Sequence, residues 1–285
     1  MEIKNIAVIG AGIMGCDVAL DLSCYDYNII LKDVCSETLE KAKKRIKSEL
    51  RISKMMKPSI KHITEEIVFS RISFATDYRG FDSVDLVVEN VTEDWNIKEK
   101  VYGELSEVCK KDTYYAINTS CIPITKVSAL LPDPAKVMGV HFMNPVPLKK
   151  LVETIRGYHT SKDTENTIVE FLKSIGKNPV VVEDFPGFVA NRLSHLFMNE
   201  AAFLVQDKVA EPKEIDAIFV QGYGHKMGPL ETADLIGLDT VVNSLDVLYQ
   251  EYQDPKFRCC PLLKKMVQAG LKGRKSGKGF YTYND

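Results

Sequence analysis

Residues 6–15 read IAVIGAGIMG, and the reading of this stretch decides the fold. Four apolar residues, Ile6 to Ile9, run without a break into Gly10, Ala11, Gly12, Ile13, Met14 and Gly15. A short apolar run that stops at glycine is the pattern of a buried strand ending in a tight turn. A helix-compatible run follows, so the segment reads as strand, G-x-G-x-x-G turn and helix. Each glycine has its own task. Gly10 takes the φ/ψ values of the turn, Gly12 leaves the backbone open to a pyrophosphate, and Gly15 lets helix and strand pack closely. The N–H groups at the helix start, beginning at Ile13 and Met14, are placed to hold the phosphates.

A second strand, Asn28–Leu31, ends at Lys32-Asp33, with Asp33 18 residues past Gly15. A carboxylate there can accept from both hydroxyls of an adenosine ribose and repels a 2′-phosphate. NAD is therefore the expected cofactor and NADP the less favoured one. Lys32 weakens the preference, because a neighbouring cation could tolerate a phosphate.

A chain of 285 residues suits two domains. Its 45% hydrophobic and 27% charged content is ordinary for a globular protein. The net charge of −2 points to neither nucleic acid nor an anionic membrane as partner. No apolar run approaches the ~18 residues of a membrane span. The N-terminus enters the first strand at once, leaving no room for a signal or transit peptide, so a cytoplasmic location is expected. The 7 cysteines include no C-x-x-C, and Cys259-Cys260 has no other Cys or His near it in sequence. Free thiols and no metal are expected.

Short apolar strands are expected at Ile6–Ile9, Asn28–Leu31, Ile72–Ala75, Asp85–Glu89, Tyr114–Asn118, Met138–Phe142, Leu151–Ile155 and Pro179–Glu183. Most are separated by helical stretches, which predicts an α/β fold with a doubly wound, mostly parallel sheet of the Rossmann type. The last strands follow each other closely, so part of the sheet is expected to be antiparallel. A helical hairpin is inserted at about 36–69. Its first helix, Ser36 to Met56, has capping character at Ser36 and apolar residues at Leu39, Ala42, Ile46 and Leu50; Pro58 breaks it. Past Asp184 no further strand run occurs. The expected domains are 1–184 and a smaller, all-helical 185–285, with helices at Arg192–Gln206, Pro212–Val220 and Asp239–Tyr252.

Four residues stand out as chemistry. His141 ends an apolar strand just before Asn144-Pro145, and strand carboxyl ends are where such sheets bind ligands. It is a candidate base, although a lone histidine at a strand end is more often structural. Glu153 lies inside the apolar strand LVETI, a costly place for an unpaired carboxylate. If the two strands form a hairpin through NPVPLKK, Glu153 faces His141, fixes its tautomer and raises its basicity. Otherwise it points outward from an edge strand. Ser120 follows another buried strand and is either a hydroxyl donor to substrate or a helix N-cap. Asn191, in GFVANR, faces either a cleft or solvent.

Five motifs occur in order: NTS-x-x-x-IT (Asn118 to Thr125), G-x-HFMNPVP-x-x-x-LVE (Gly139 to Glu153), PGFVANR (Pro186 to Arg192), MGPLE (Met227 to Glu231) and GRKSGKGFYTY (Gly273 to Tyr283). With them the sequence resembles the 3-hydroxyacyl-CoA dehydrogenases over nearly its whole length, in particular the short bacterial 3-hydroxybutyryl-CoA dehydrogenases. The resemblance implies NAD-dependent interconversion of an L-3-hydroxyacyl thioester and its 3-oxoacyl thioester. It makes His141 the catalytic base and Glu153 its partner, with Ser120 and Asn191 on the acyl substrate beside Asn144. It adds Glu93, Lys98 and Asn118 to the cofactor site formed by the glycine turn and Asp33. It also implies a homodimer through the C-terminal domain.

The sequence departs from the family pattern at Cys16, Asp17, Asn90, Cys121 and Met143, and over Lys54–Lys61, which corresponds to the CoA-contacting hairpin and contains Pro58. An acyl group carried by an acyl carrier protein is therefore an alternative substrate. A free hydroxy-acid or sugar-acid dehydrogenase and a catalytically inactive binding protein are further readings.

Overall fold

The computed structural model describes residues 3–120 and 122–283. The chain divides into two compact units, Met1–Phe185 and Pro186–Asp285.

The first unit is built on one eight-stranded sheet. Its strands are β1 (Asn5–Ile9), β2 (Asn28–Lys32), β3 (Ile72–Ala75), β4 (Leu86–Glu89), β5 (Tyr114–Ile117), β6 (Val137–Phe142), β7 (Leu151–Arg156) and β8 (Asn178–Glu183), in the order β3-β2-β1-β4-β5-β6-β7-β8. The pairings from β3 through β6 are parallel. β7 runs antiparallel to β6, and β8 parallel to β7, which is the mixed edge expected from the crowded strands. The order reverses between β1 and β4, the switch point at which such sheets bind dinucleotides. Both strands are apolar without alternation because both faces are covered, and Ile6, Ala7, Val8, Leu86 and Val87 are fully buried.

The helices of this unit are α1 (Ile13–Ser23), α2 (Ser36–Met56), α3 (Glu65–Arg71), α4 (Trp95–Val108), α5 (Ile124–Ser128) and α6 (Lys162–Ser174). α2 buries Leu39, Ala42, Ile46 and Leu50, the expected stripe. Its start differs from expectation. Ser36 is the first helical residue, and the preceding Cys35 makes no side-chain cap. The turn is closed from behind instead, since Asp33 Oδ1 accepts the Cys35 N–H at 3.2 Å. Side chains of Thr64, Asp94 and Ser161 cap α3, α4 and α6.

The second unit contains α7 (Ala190–Gln206), α8 (Pro212–Ala217), α9 (Pro229–Ile236), α10 (Leu238–Tyr252) and α11 (Pro261–Gln268). Met198, Ala202, Leu230, Ala233, Val241, Leu245 and Leu263 share its core. A π-helical turn, Ile218–Gly222, continues α8, so the helix expected to end at Val220 runs slightly further. The unit is not helical throughout. Its last segment folds back through isolated bridges Gly273–Lys278 and Lys278–Thr282. Two buried aspartates hold that segment. Asp234 accepts the N–H groups of Phe280 and Tyr281 and the Tyr283 hydroxyl; Asp216 accepts from Leu230 N–H, Glu231 N–H and the Tyr281 hydroxyl. Gly279 is required there, because a Cβ would stand 2.0 Å from Asp234 Oδ1. Among the described residues no helix is long and apolar enough to cross a membrane.

Candidate active site

The glycine turn closes β1 as its sequence demands. Gly10 has φ +91°, and a Cβ on it would lie 2.7 Å from the Asn90 carbonyl oxygen. A Cβ on Gly15 would lie 1.8 Å from the Gly10 carbonyl oxygen, so α1 packs against the turn with no room for a side chain. Around Gly12 the opposite holds. It is the N-cap of α1, and a Cβ there would meet nothing within 4 Å. That open cradle, with Ile13 exposed beside it at the positive end of α1, fits a dinucleotide pyrophosphate. Met14 is half-buried beneath it.

Asp33 stands at the end of β2 and bonds into the cradle, its Oδ2 accepting the Ala11 N–H at 2.8 Å. A carboxylate offers about four acceptor positions, so Asp33 can take ribose hydroxyls as well. The Lys32 side chain is buried, and its ammonium lies 4.1 Å from the centre of the Tyr78 ring.

At the end of β4 lies a buried charged group. Glu89 is fully buried and accepts two bonds from Lys98 Nζ, at 2.8 and 2.7 Å, one from the Tyr102 hydroxyl and one from the Val91 N–H. Burial pushes its carboxyl up, opposed chiefly by the Lys98 charge. Lys98, expected at the cofactor, is itself 0% exposed. Its Nζ is also 3.8 Å from Glu93 Oε2, while Glu93 Oε1 accepts the Thr119 hydroxyl at 2.5 Å and the Ser120 N–H at 2.9 Å. Asn118 bridges two strand ends, donating to Asn90 Oδ1 at 2.7 Å and accepting the Phe142 N–H at 3.2 Å. Asn90 is thereby paired with Asn118.

The β6–β7 pairing sets His141 directly opposite Glu153. Glu153 Oε2 is 3.0 Å from His141 Nδ1, and the residues are 4% and 8% exposed. β8 covers β7, so Glu153 is not on an edge. A carboxylate at Nδ1 selects the tautomer with the proton there and leaves the Nε2 lone pair available. Ser120 Oγ lies 3.3 Å from that Nε2. Ser120 is not the cap of α5, for Asp184 accepts the N–H groups of Ile124 and Thr125 as well as the Thr125 hydroxyl. The structure thus joins Ser120, His141 and Glu153. Asn144 lies on the exposed loop after β6, and Asn191 is half-buried in the first turn of α7 in the second unit. Cys121 lies outside the described residues. Glu89, Thr119 and Asp184 were missed. The acid ending DLVVE was a visible signal for Glu89, but nothing local to Asp184 marks it as a cap for a helix so far back in the chain.

An open glycine turn that fits a pyrophosphate, an acid bonded into it at the end of β2 and a carboxylate-bound imidazole in β6 point to a dinucleotide-dependent oxidoreductase. Residues 5–185 match the family described as 3-hydroxyacyl-CoA dehydrogenase, NAD binding domain, and residues 187–283 its C-terminal domain. The chain belongs to the 3-hydroxyacyl-CoA dehydrogenase family, and its cofactor is NAD. It is 45% identical to a "Probable 3-hydroxybutyryl-CoA dehydrogenase" of Deinococcus radiodurans, over 98% of this chain and 100% of that one. It is 42% identical to a 3-hydroxybutyryl-CoA dehydrogenase of Clostridioides difficile, over 98% and 99%. The crystal structure of (S)-3-hydroxybutyryl-CoA dehydrogenase from Ralstonia eutropha superposes with a TM-score of 0.93 at 36% identity, covering 100% of both chains.

Proposed function

We propose that this enzyme interconverts a short L-(3S)-3-hydroxyacyl-CoA, such as 3-hydroxybutyryl-CoA, and its 3-oxoacyl-CoA, with His141 as the acid–base group. The observation that carries the reading is the line Ser120 Oγ, His141 Nε2, His141 Nδ1, Glu153 Oε2, with separations of 3.3 and 3.0 Å at its two polar contacts. When bound, NAD supplies the acceptor for hydride leaving C3, or its donor in reverse. His141 Nε2 takes the hydroxyl proton as the C3–H bond is lost, so the alcohol gives up one hydride and one proton to become a ketone. Glu153 stabilises the imidazolium that results. In reduction His141 returns the proton. Ser120 holds the reacting oxygen against Nε2, and by resemblance Asn191 and Asn144 are assigned to the acyl group. Gly10, Gly12, Ile13, Met14, Gly15 and Asp33 are assigned to NAD, with Asn118 and Glu93 next to them.

The relatives' names support a CoA thioester, and nothing in the structure favours an acyl carrier protein. A homodimer through the second unit and a cytoplasmic location belong to the same reading. Loss of NADH absorbance tests it with acetoacetyl-CoA, acetoacetyl carrier protein and free acetoacetate. The expected order of kcat/KM places acetoacetyl-CoA first. Turnover of acetoacetate alone, or of none of the three, would overturn the assignment.

A further inference from the structure

We propose that Asp184 is a positioning residue for Ser120, acting through the N-terminus of α5. The inference rests on the assignment of Ser120 and His141 above. Ser120 Oγ lies 3.3 Å from His141 Nε2, and the loop that carries it leads into α5 at Ile124. The start of that loop is held by Asn118 and Glu93, the residues assigned beside NAD. Its other end is held by a carboxylate with no part in that assignment. Asp184 stands 60 residues beyond Ile124 and accepts the Ile124 N–H on Oδ1 at 3.1 Å. Its Oδ2 accepts the Thr125 N–H at 2.7 Å and the Thr125 hydroxyl at 2.6 Å. The Thr125 oxygen in turn accepts the Tyr158 N–H at 3.0 Å. The end of β8, the start of α5 and the turn after β7 thus meet at one side chain. The residue before α5 is Pro123, which gives the helix no side-chain cap of its own.

Apolar packing seats the same point on the strand of the base. Ile124 is fully buried, and it lies so close over β6 that a Cβ on Gly139 would stand 2.7 Å from its Cδ1. Gly139 and His141 lie on that one strand. The packing sets how near α5 comes to β6, and Asp184 fixes where its first turn begins. A helix of 5 residues has little stability of its own, so its first turn depends on these outside partners. Three donors converge on the carboxylate, which has acceptor sites for all of them. An amide in its place offers one oxygen and turns an NH2 group toward the remaining donors. The loop before α5 is then free to shift. A displacement of about 1 Å at a reacting group costs up to about a hundredfold in rate.

The test is a double-mutant cycle. Asp184→Asn and Thr125→Val are each made in wild type and in Ser120→Ala. NADH oxidation by acetoacetyl-CoA is then followed in a single turnover, which separates the chemical step from product release. Thr125→Val keeps the side-chain shape and leaves Asp184 bonded to both N–H groups, so it decides the matter even if Asp184→Asn does not fold. In wild type, Asp184→Asn should slow the reaction by about tenfold to a hundredfold, and Thr125→Val by a smaller factor. In Ser120→Ala neither should slow it further by more than about twofold, because the group they place is gone. A role confined to stability would lower the active fraction by the same factor in both backgrounds. Equal losses in the two backgrounds, or no loss in wild type, would overturn the proposal. A wild type that does not reduce acetoacetyl-CoA, or a Ser120→Ala variant as fast as wild type, would overturn the underlying assignment instead.

Discussion

Asp33 bonds to two backbone N–H groups, Ala11 in the glycine turn and Cys35 before α2. The carboxylate proposed to take the ribose hydroxyls therefore also holds the glycine turn at its base. Asp33→Ala should raise KM for NADH by tenfold or more, as expected for loss of hydrogen bonds made by a charged group (about 1.5–3 kcal/mol). KM for the thioester should change far less, and the preference for NADH over NADPH should narrow. Steady-state kinetics with each reactant varied in turn decide this, and equal losses for both reactants would contradict it. Asp33 was legible because its spacing from the glycines is a chemical requirement. The directions of Lys32 and Lys98 were not. The Lys32 ammonium stands over the half-buried Tyr78 ring and the Lys98 ammonium pairs with the buried Glu89, neighbours that only the folded chain brings alongside. Neither carries a local signal for that choice.

Among the elements, the β6–β7 hairpin was readable because a lone acid in an apolar strand must find a partner, and the register of two antiparallel strands leaves few choices. The start of α2 was misread for the converse reason: Ser36 has the chemistry of a cap, but Asp33 already closes the turn. The starts of β1 and β4 are joined by a carboxylate too. Asp85 accepts the N–H groups of Lys4 and Asn5 at 3.0 and 2.9 Å and pairs with Lys110 Nζ at 2.6 Å. Burial pushes its pKa up, but Lys110 and the two N–H groups outweigh burial and hold it below the usual carboxylate range. Its folded pKa therefore lies below its unfolded one. The stability it contributes is present above about pH 4 and is lost as pH falls through the depressed value. Asp85→Asn should cost about 1–3 kcal/mol at pH 7, with the difference from wild type shrinking in acid. Denaturant titrations at several pH values would show this, and a gap independent of pH would contradict it.

For the molecule as a whole, the sheet and the helical unit follow from where apolar runs lie, so both could be read in advance. The closing segment of the second unit could not, because GRKSGKGFYTY has little apolar pattern of its own. Its shape comes from Asp216 and Asp234, which reach it from α8 and α9. Asp234→Ala would strip an acceptor from two N–H groups and one hydroxyl at once. It should destabilise the protein by about 3 kcal/mol, read as a lower thermal midpoint, with an unchanged midpoint as the contrary result. The resemblance to the 3-hydroxyacyl-CoA dehydrogenases extends over both units, and the assigned chemistry rests on one imidazole held by one acid. The most direct measurement is therefore the kcat of His141→Gln in NADH-dependent reduction of acetoacetyl-CoA. A fall of about 10²–10⁴ with NADH binding intact is predicted; turnover at the wild-type rate would contradict the account.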